Sequence, residues 1–168
     1  MQLSHTSIRS YYQILEDTLV AHRLDAFGMS RDQVLRAPRY FFFDMGVRNA
    51  AAGVGHSRGI LTLQRGLLFE HWVILEAITR LQGRAHFFYW RTKQGDEVDL
   101  MIEKNGKRFA IEVKATENPS WEDFAGLAKF KKKHTIQEGW LICRTQRPQA
   151  FGQFTAIPWQ ELGTRLAL

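Results

Sequence analysis

The stretch EVDLMIEKNGKRFAIEVK, residues 97–114, constrains this chain more than any other segment. Asn-Gly between two alternating apolar runs is the strongest short hairpin signal, because both residues accept the positive φ that a two-residue turn demands. With Asn105 and Gly106 at the tip, Lys104 pairs with Lys107, Asp99 faces Glu112 and Glu97 faces Lys114. Side-chain alternation then puts Glu97, Asp99, Met101, Glu103, Arg108, Ala110, Glu112 and Lys114 on one face. Val98, Leu100, Ile102, Phe109, Ile111 and Val113 share the other, which reads as core.

Like charges directly opposed across two strands destabilise a sheet, so Asp99 against Glu112 calls for a reason beyond folding. A divalent cation turns that repulsion into coordination, and paired carboxylates suit Mg²⁺ or Mn²⁺, hard ions that keep part of their water. Lys114, two residues from Glu112 on the same face, is placed to stabilise charge on a phosphate or to hold a water. The plain alternative is a hairpin with one solvated face, where Glu103 with Arg108 and Glu97 with Lys114 are ordinary cross-strand pairs. Glu70 favours the functional reading. Residues 62–82 predict a long helix stopped by Gly83, with Leu63, Leu67, Val73, Ile74, Ala77 and Leu81 on one face and Glu70 in its middle.

Around these segments the chain is regular. Residues 4–21 predict an amphipathic helix with Ser4 or Thr6 as its N-cap, and YFFFD at 40–44 reads as a strand. HFFYWRT (86–92) adds a strand before the hairpin. SWEDFAGLAKFKKKH (120–134) predicts a helix with Ser120 and Asp123 in capping-box positions, and GWLICRT (139–145) a strand reached by crossover. The tail at 157–168 predicts a short closing helix.

An excess of Lys and Arg, giving a net charge of +6, favours polyanionic partners, with nucleic acid before an anionic membrane. Cys143 is the one cysteine, which excludes an internal disulfide and fits a reducing, cytoplasmic setting. No apolar run approaches the roughly 20 residues of a membrane span.

Glu70 on a helix, Asp99 on the second strand and Glu112-Val113-Lys114 on the third resemble the PD-(D/E)XK nuclease superfamily, with Val98 standing where its proline would be. The resemblance implies an α/β (α+β) fold with an α-β-β-β-α-β core over residues 46–168. It also implies Asp99, Glu112 and Glu70 as metal ligands, and Lys114 as the catalytic lysine. The longer stretches YFFFDMGVRNAAAG, RGLLFEHWVILE and FFYWRTKQGDEVDLMIE are similar to the uncharacterised C-terminal domain of bacterial and archaeal predicted AAA+-type ATPases. Residues 1–45 are similar to the end of the winged-helix-like segment that precedes this domain, so a small, mostly helical remnant is expected there. No phosphate loop of the G-x-x-x-x-G-K-S/T type occurs, so an ATPase is implied only as a linked domain.

Two functions follow. One is a Mg²⁺-dependent phosphodiesterase acting on DNA, with Arg91, Lys93, Lys129, Lys131, Lys132 and Lys133 neutralising phosphates. The other is a non-catalytic DNA-binding or protein-docking module of an ATPase. Trp90, Tyr89 and Trp121 are candidates for stacking on bases, although aromatics at such positions are more often core. His5, His22, His56, Ser57 and Cys143 have no spacing that suggests ligation or nucleophilic catalysis.

Overall fold

The computed structural model describes residues 4–28, 37–55 and 58–167. Its elements run α1 (His5–Asp17), β1 (Ala21–Ala26), β2 (Arg39–Phe42), α2 (Met45–Ala51), α3 (Arg58–Leu63) and α4 (Arg65–Leu81). They continue with β3 (His86–Arg91), β4 (Glu97–Lys104), β5 (Lys107–Val113), α5 (Ala125–Lys131), β6 (Glu138–Cys143), β7 (Gln149–Phe151), β8 (Phe154–Pro158) and α6 (Leu162–Leu166). The eight strands form one mixed sheet in the order β2-β1-β3-β4-β5-β6-β8-β7, so the fold is α/β. From α4 to β6 the order helix, three strands, helix, strand matches the sequence reading. The polar stretch at 29–36, His56 and Ser57 lie outside the described residues.

The hairpin forms as its turn dictates. Asn105 and Gly106 both take positive φ, 52° and 74°, and β4 pairs with β5 from Lys104–Lys107 to Leu100–Ile111 in the expected register. Glu103 and Arg108 make the exposed cross-strand pair, 2.6 Å apart.

Beyond Leu100 the strand departs from simple alternation. Against β3, Met101 pairs with Phe88 but Val98 pairs with Trp90, so Asp99 and Leu100 together oppose Tyr89. This is a β-bulge, one extra residue that reverses the facing of everything before it. Val98 therefore shares a core with Met101 and Ala110, whereas Leu100 and Ile102 face the other way. Glu97 consequently sits on the face opposite to the one alternation assigns it.

Both faces of the hairpin are covered, so the plain alternative of a hairpin with one solvated face does not hold. Val73, Ile74, Ala77 and Leu81 of α4 bury Leu100, Ile102, Ile111 and Val113. Leu127 and Phe130 of α5, with Phe124, bury Val98, Met101 and Ala110 on the other side. Asp123 Oδ2 accepts from Ser120 N at 2.8 Å and starts the helical segment, so Asp does the work of the usual Glu.

The long helix expected at 62–82 is broken at Gln64 into α3 and α4. Only its second half keeps the expected apolar contact: Leu63 is 87% and Leu67 47% exposed. Ser4 caps α1, its side chain accepting from Ser7 N, yet α1 buries none of its residues. Residues 1–45 are less helical than expected, since β1 pairs parallel with β3 and carries β2 on its outer edge. The β7–β8 hairpin was not anticipated. Among the described residues no helix is long and apolar enough to cross a membrane.

Candidate active site

The acids gather where β4 and β5 part. Pairing between them ends at Leu100–Ile111, while β5 stays joined to β6 through Glu112–Leu141 and Val113–Ile142. The amide of Val113, left without a partner on β4, donates instead to Asp99 Oδ2 at 2.8 Å. The bulge residue thus supplies a side chain where the ladder lacks a carbonyl, and this seats Asp99, 6% exposed, in the gap between strands.

Glu112 approaches from the α5 side and is also 6% exposed. Lys114 Nζ lies 2.7 Å from its Oε1. Its other oxygen, Oε2, is buried without a hydrogen-bond partner. That oxygen lies under Gly126 of α5, where an added Cβ would stand 3.2 Å from it and 2.0 Å from the Glu97 carbonyl oxygen. Glycine is required here for close approach of helix to strand.

Glu70 comes from the α4 side and is half-buried, with one third of its side chain exposed. Arg39 of β2 reaches over the ring of Tyr89, 4.5 Å from its centroid, and pairs closely with Glu97. Its Nη1 is 3.8 Å from Glu70 Oε1. Tyr89 Oη donates to the Ala37 carbonyl at 2.9 Å and fixes the approach to β2. Arg91 stands 3.6 Å from the second Glu97 oxygen. The cross-strand pair expected between Glu97 and Lys114 therefore does not form, because the bulge carries Glu97 to the Arg39 side.

Crowding and burial perturb these acids in one direction. Burial, then the Asp99 charge, raises Glu112 from 4.5 to about 8. Burial and Asp99 raise Glu70 to about 7, against the pull of Arg39. Asp99 is raised by burial, opposed by its bond to Val113. Burial works against the Lys114 ammonium, but Glu112 and Asp99 outweigh it and raise Lys114 above its ordinary value.

Glu70, Asp99, Glu112 and Lys114 thus meet at one place. Among the described residues, no three His, Cys, Asp or Glu side chains are grouped tightly enough to grip a metal ion unaided. The buried, unpartnered Glu112 oxygen beside Asp99 nevertheless fits a small hard cation that keeps several waters and takes few protein ligands. Sequence reasoning missed Arg39, Glu97 and Gly126. Glu97 was visible as an acid two residues from Asp99, whereas nothing local marks Arg39 or Gly126.

The basic residues expected at a nucleic-acid surface are more engaged than their sequence suggests. Lys129 is 2.5 Å from Asp96, Lys133 lies over Trp90 at 5.7 Å and Lys131 over Phe154 at 5.9 Å. Lys93, Lys132 and Arg91 are exposed. Trp90 and Tyr89 are core, 6% and 4% exposed, while Trp121 is 64% exposed.

A family described as "Domain of unknown function (DUF4143)" matches residues 65–162, and a second, "Domain of unknown function (DUF8612)", matches residues 1–58. Uncharacterized protein Rv2008c of Mycobacterium tuberculosis and Uncharacterized protein Mb2031c of Mycobacterium bovis are each 30% identical to the chain over 125 residues. The matched part is 71% of this chain but 27% of each relative, so the chain spans about a quarter of their length. No solved structure matches. With more than half of its length matched, the chain belongs to the DUF4143 domain family.

Proposed function

We propose that the chain is a metal-dependent phosphodiesterase of the PD-(D/E)XK type acting on DNA, by way of Glu70, Asp99, Glu112 and Lys114. The observation that carries this reading is the buried Glu112 Oε2 left without a partner beside a second buried carboxylate. Burying a carboxylate oxygen unpaired costs several kcal/mol, and a fold bears such a cost where a ligand relieves it. Asp99 and Glu112 would hold Mg²⁺ or Mn²⁺, with Glu70 assisting directly or through water. When bound, such an ion activates water and neutralises charge on a phosphodiester.

The chain's own groups have separable tasks. Asp99, fixed by Val113, cannot swing away, so it sets the position of the pair. Lys114, 45% exposed at its side chain, is tied to Glu112 yet open to solvent on the rim, where it can meet a phosphate oxygen or orient a water. Arg39 and Arg91 balance Glu97, leaving Asp99 and Glu112 as the acids without an arginine. DUF4143 domains are often found with ATPase-type proteins, which fits a nuclease-like domain linked to an ATPase.

Calorimetry with Mn²⁺, followed by cleavage assays on linear, branched and single-stranded DNA, tests the reading. Binding should vanish in Asp99→Ala, and Lys114→Ala should bind the ion and lose cleavage. Absence of any heat at millimolar Mn²⁺ would sink the proposal in favour of a non-catalytic DNA-binding or docking module.

A further inference from the structure

A second feature lies on the α5 side of the sheet, the side from which Glu112 approaches. Trp121, Phe124, Ala125 and Ala128 of the α5 segment, with Gly152, Gln153 and Phe154 of the β7–β8 hairpin, line an open, mostly apolar hollow of about 400 Å³. Trp121 is its exposed wall, and it is held rather than loose. Its ring meets Phe151 edge-on at 5.4 Å, and it fits over Gly152, where an added Cβ would stand 3.2 Å from Trp121 Cη2. Gly152 also has φ +57°, so the turn and the close approach both need glycine. Phe124 and Phe154 stack below, 5.8 Å apart and 12° from parallel. Beyond these contacts the indole is 64% exposed, which is unusual for a large aromatic packed at the edge of a core.

The rim is basic. Lys131 Nζ lies 5.9 Å from the Phe154 ring, and Lys132 beside it is exposed. The hollow also has a defined place relative to the acids. Glu112 is level with Leu141 and Phe154 with Gly139, two residues lower on β6. Phe154 is therefore two strands and two residues from Glu112, about 10 Å across and 7 Å along the sheet. An extended single strand covers that separation in about two nucleotides.

We propose that this hollow is a nucleobase-stacking site, in which an unpaired base of a single-stranded segment lies on Trp121 while Lys131 and Lys132 meet the adjoining phosphates. An aromatic floor with cations on its rim is the arrangement that binds single strands without sequence preference, since every base offers a π-face. The inference rests on the nucleic-acid reading above and deepens it. It gives the substrate as DNA with single-stranded character near the scissile phosphate, because a base paired and stacked within a duplex has no free face to lay on Trp121.

Trp121 also supplies the signal for its own test. In EDTA, an eight-residue oligothymidylate should quench tryptophan emission of the whole chain and bind with a measurable Kd. Trp121→Phe should bind within about twofold with most of the quenching lost. Trp121→Ala should bind about fivefold to a hundredfold more weakly. Trp159→Phe, altering the other exposed tryptophan, should leave both readouts unchanged. Equal affinity of Trp121→Ala and wild type, or saturation without a change in emission, overturns the proposal and points to an apolar peptide side chain as the occupant. Tighter binding of a blunt duplex than of the oligothymidylate overturns it too. Mn²⁺ calorimetry on the same samples keeps the two readings apart: loss of metal binding alone strikes the phosphodiesterase, while loss of Trp121 dependence alone strikes the stacking site.

Discussion

Glu112→Gln should make the metal-free protein more stable at neutral pH. The folded chain holds a proton on Glu112 up to about pH 8, whereas the unfolded chain gives it up near the ordinary 4.5. The folded state therefore binds more protons through this interval, and stability falls as pH rises from about 4.5 through 8. At about 1.4 kcal/mol per pH unit, the penalty reaches about 3 kcal/mol at pH 7. Glutamine has nearly the same shape and carries no charge to desolvate. Urea denaturation should find the variant and wild type alike near pH 4, and the variant ahead by about 2–3 kcal/mol at pH 7. Glu70 and Asp99 are raised in the same direction, so the wild type should lose stability even more steeply than Glu112 alone requires. Adding Mn²⁺ at a hundred times its dissociation constant should return about 2.7 kcal/mol to the wild type at pH 8 and nothing to Glu112→Gln. A wild-type stability that is flat between pH 5 and 8, or a variant destabilised equally at every pH, would refute the reasoning.

Arg39→Ala leaves Glu70 and Glu97 without their shared cation, and because each is about a third exposed the loss should be about 1–2 kcal/mol, less than for a fully buried pair. Adding Glu97→Gln should recover part of it in the same denaturation assay. Gly126→Ala should cost about 2–3 kcal/mol by driving a methyl into the Glu97 carbonyl, although Gly to Ala in a helix normally stabilises; a gain in Tm would contradict the close approach. Hydrogen exchange should find the α1 amides far less protected than those of α4, because a 13-residue helix with no buried residue is tied down by little more than the Tyr12–Tyr40 stack and the contacts of Glu16 with Tyr40 and Arg23. Protection in α1 equal to that in α4 would count against that view.

What the sequence made legible was local. The Asn-Gly turn fixed the hairpin register by itself, and helix caps at Ser4 and Ser120 announced their helices, since each signal acts within a few residues. The meeting of Glu70, Asp99, Glu112 and Lys114 was legible because register and helix order suffice to bring them near. The bulge was not, since it is defined by pairing with β3 and leaves the alternation of β4 unbroken in the sequence. For the same reason Glu97 was given to Lys114 and Arg39 went unnoticed: their partnership joins residues 58 positions apart. The apolar run of the first helix announced an amphipathic helix, and such spacing says that a face exists and not that this chain covers it. The β7–β8 hairpin carried a signal in Phe-Gly-Gln-Phe at 151–154, weaker than Asn-Gly and overlooked.

The bulge at Asp99 makes the length of β4 a functional quantity. Deleting one residue between Val98 and Met101 would restore regular pairing with β3 and probe the site in a way no substitution does. Val98 would stay opposite Trp90 and beside Met101, and Glu97 would stay opposite Arg91, so the surplus residue alone would be lost. The ladder would then have no surplus residue to lend to the Val113 amide. Point changes at the acids alter what the site can hold, whereas the count of residues in this strand decides whether there is a site at all.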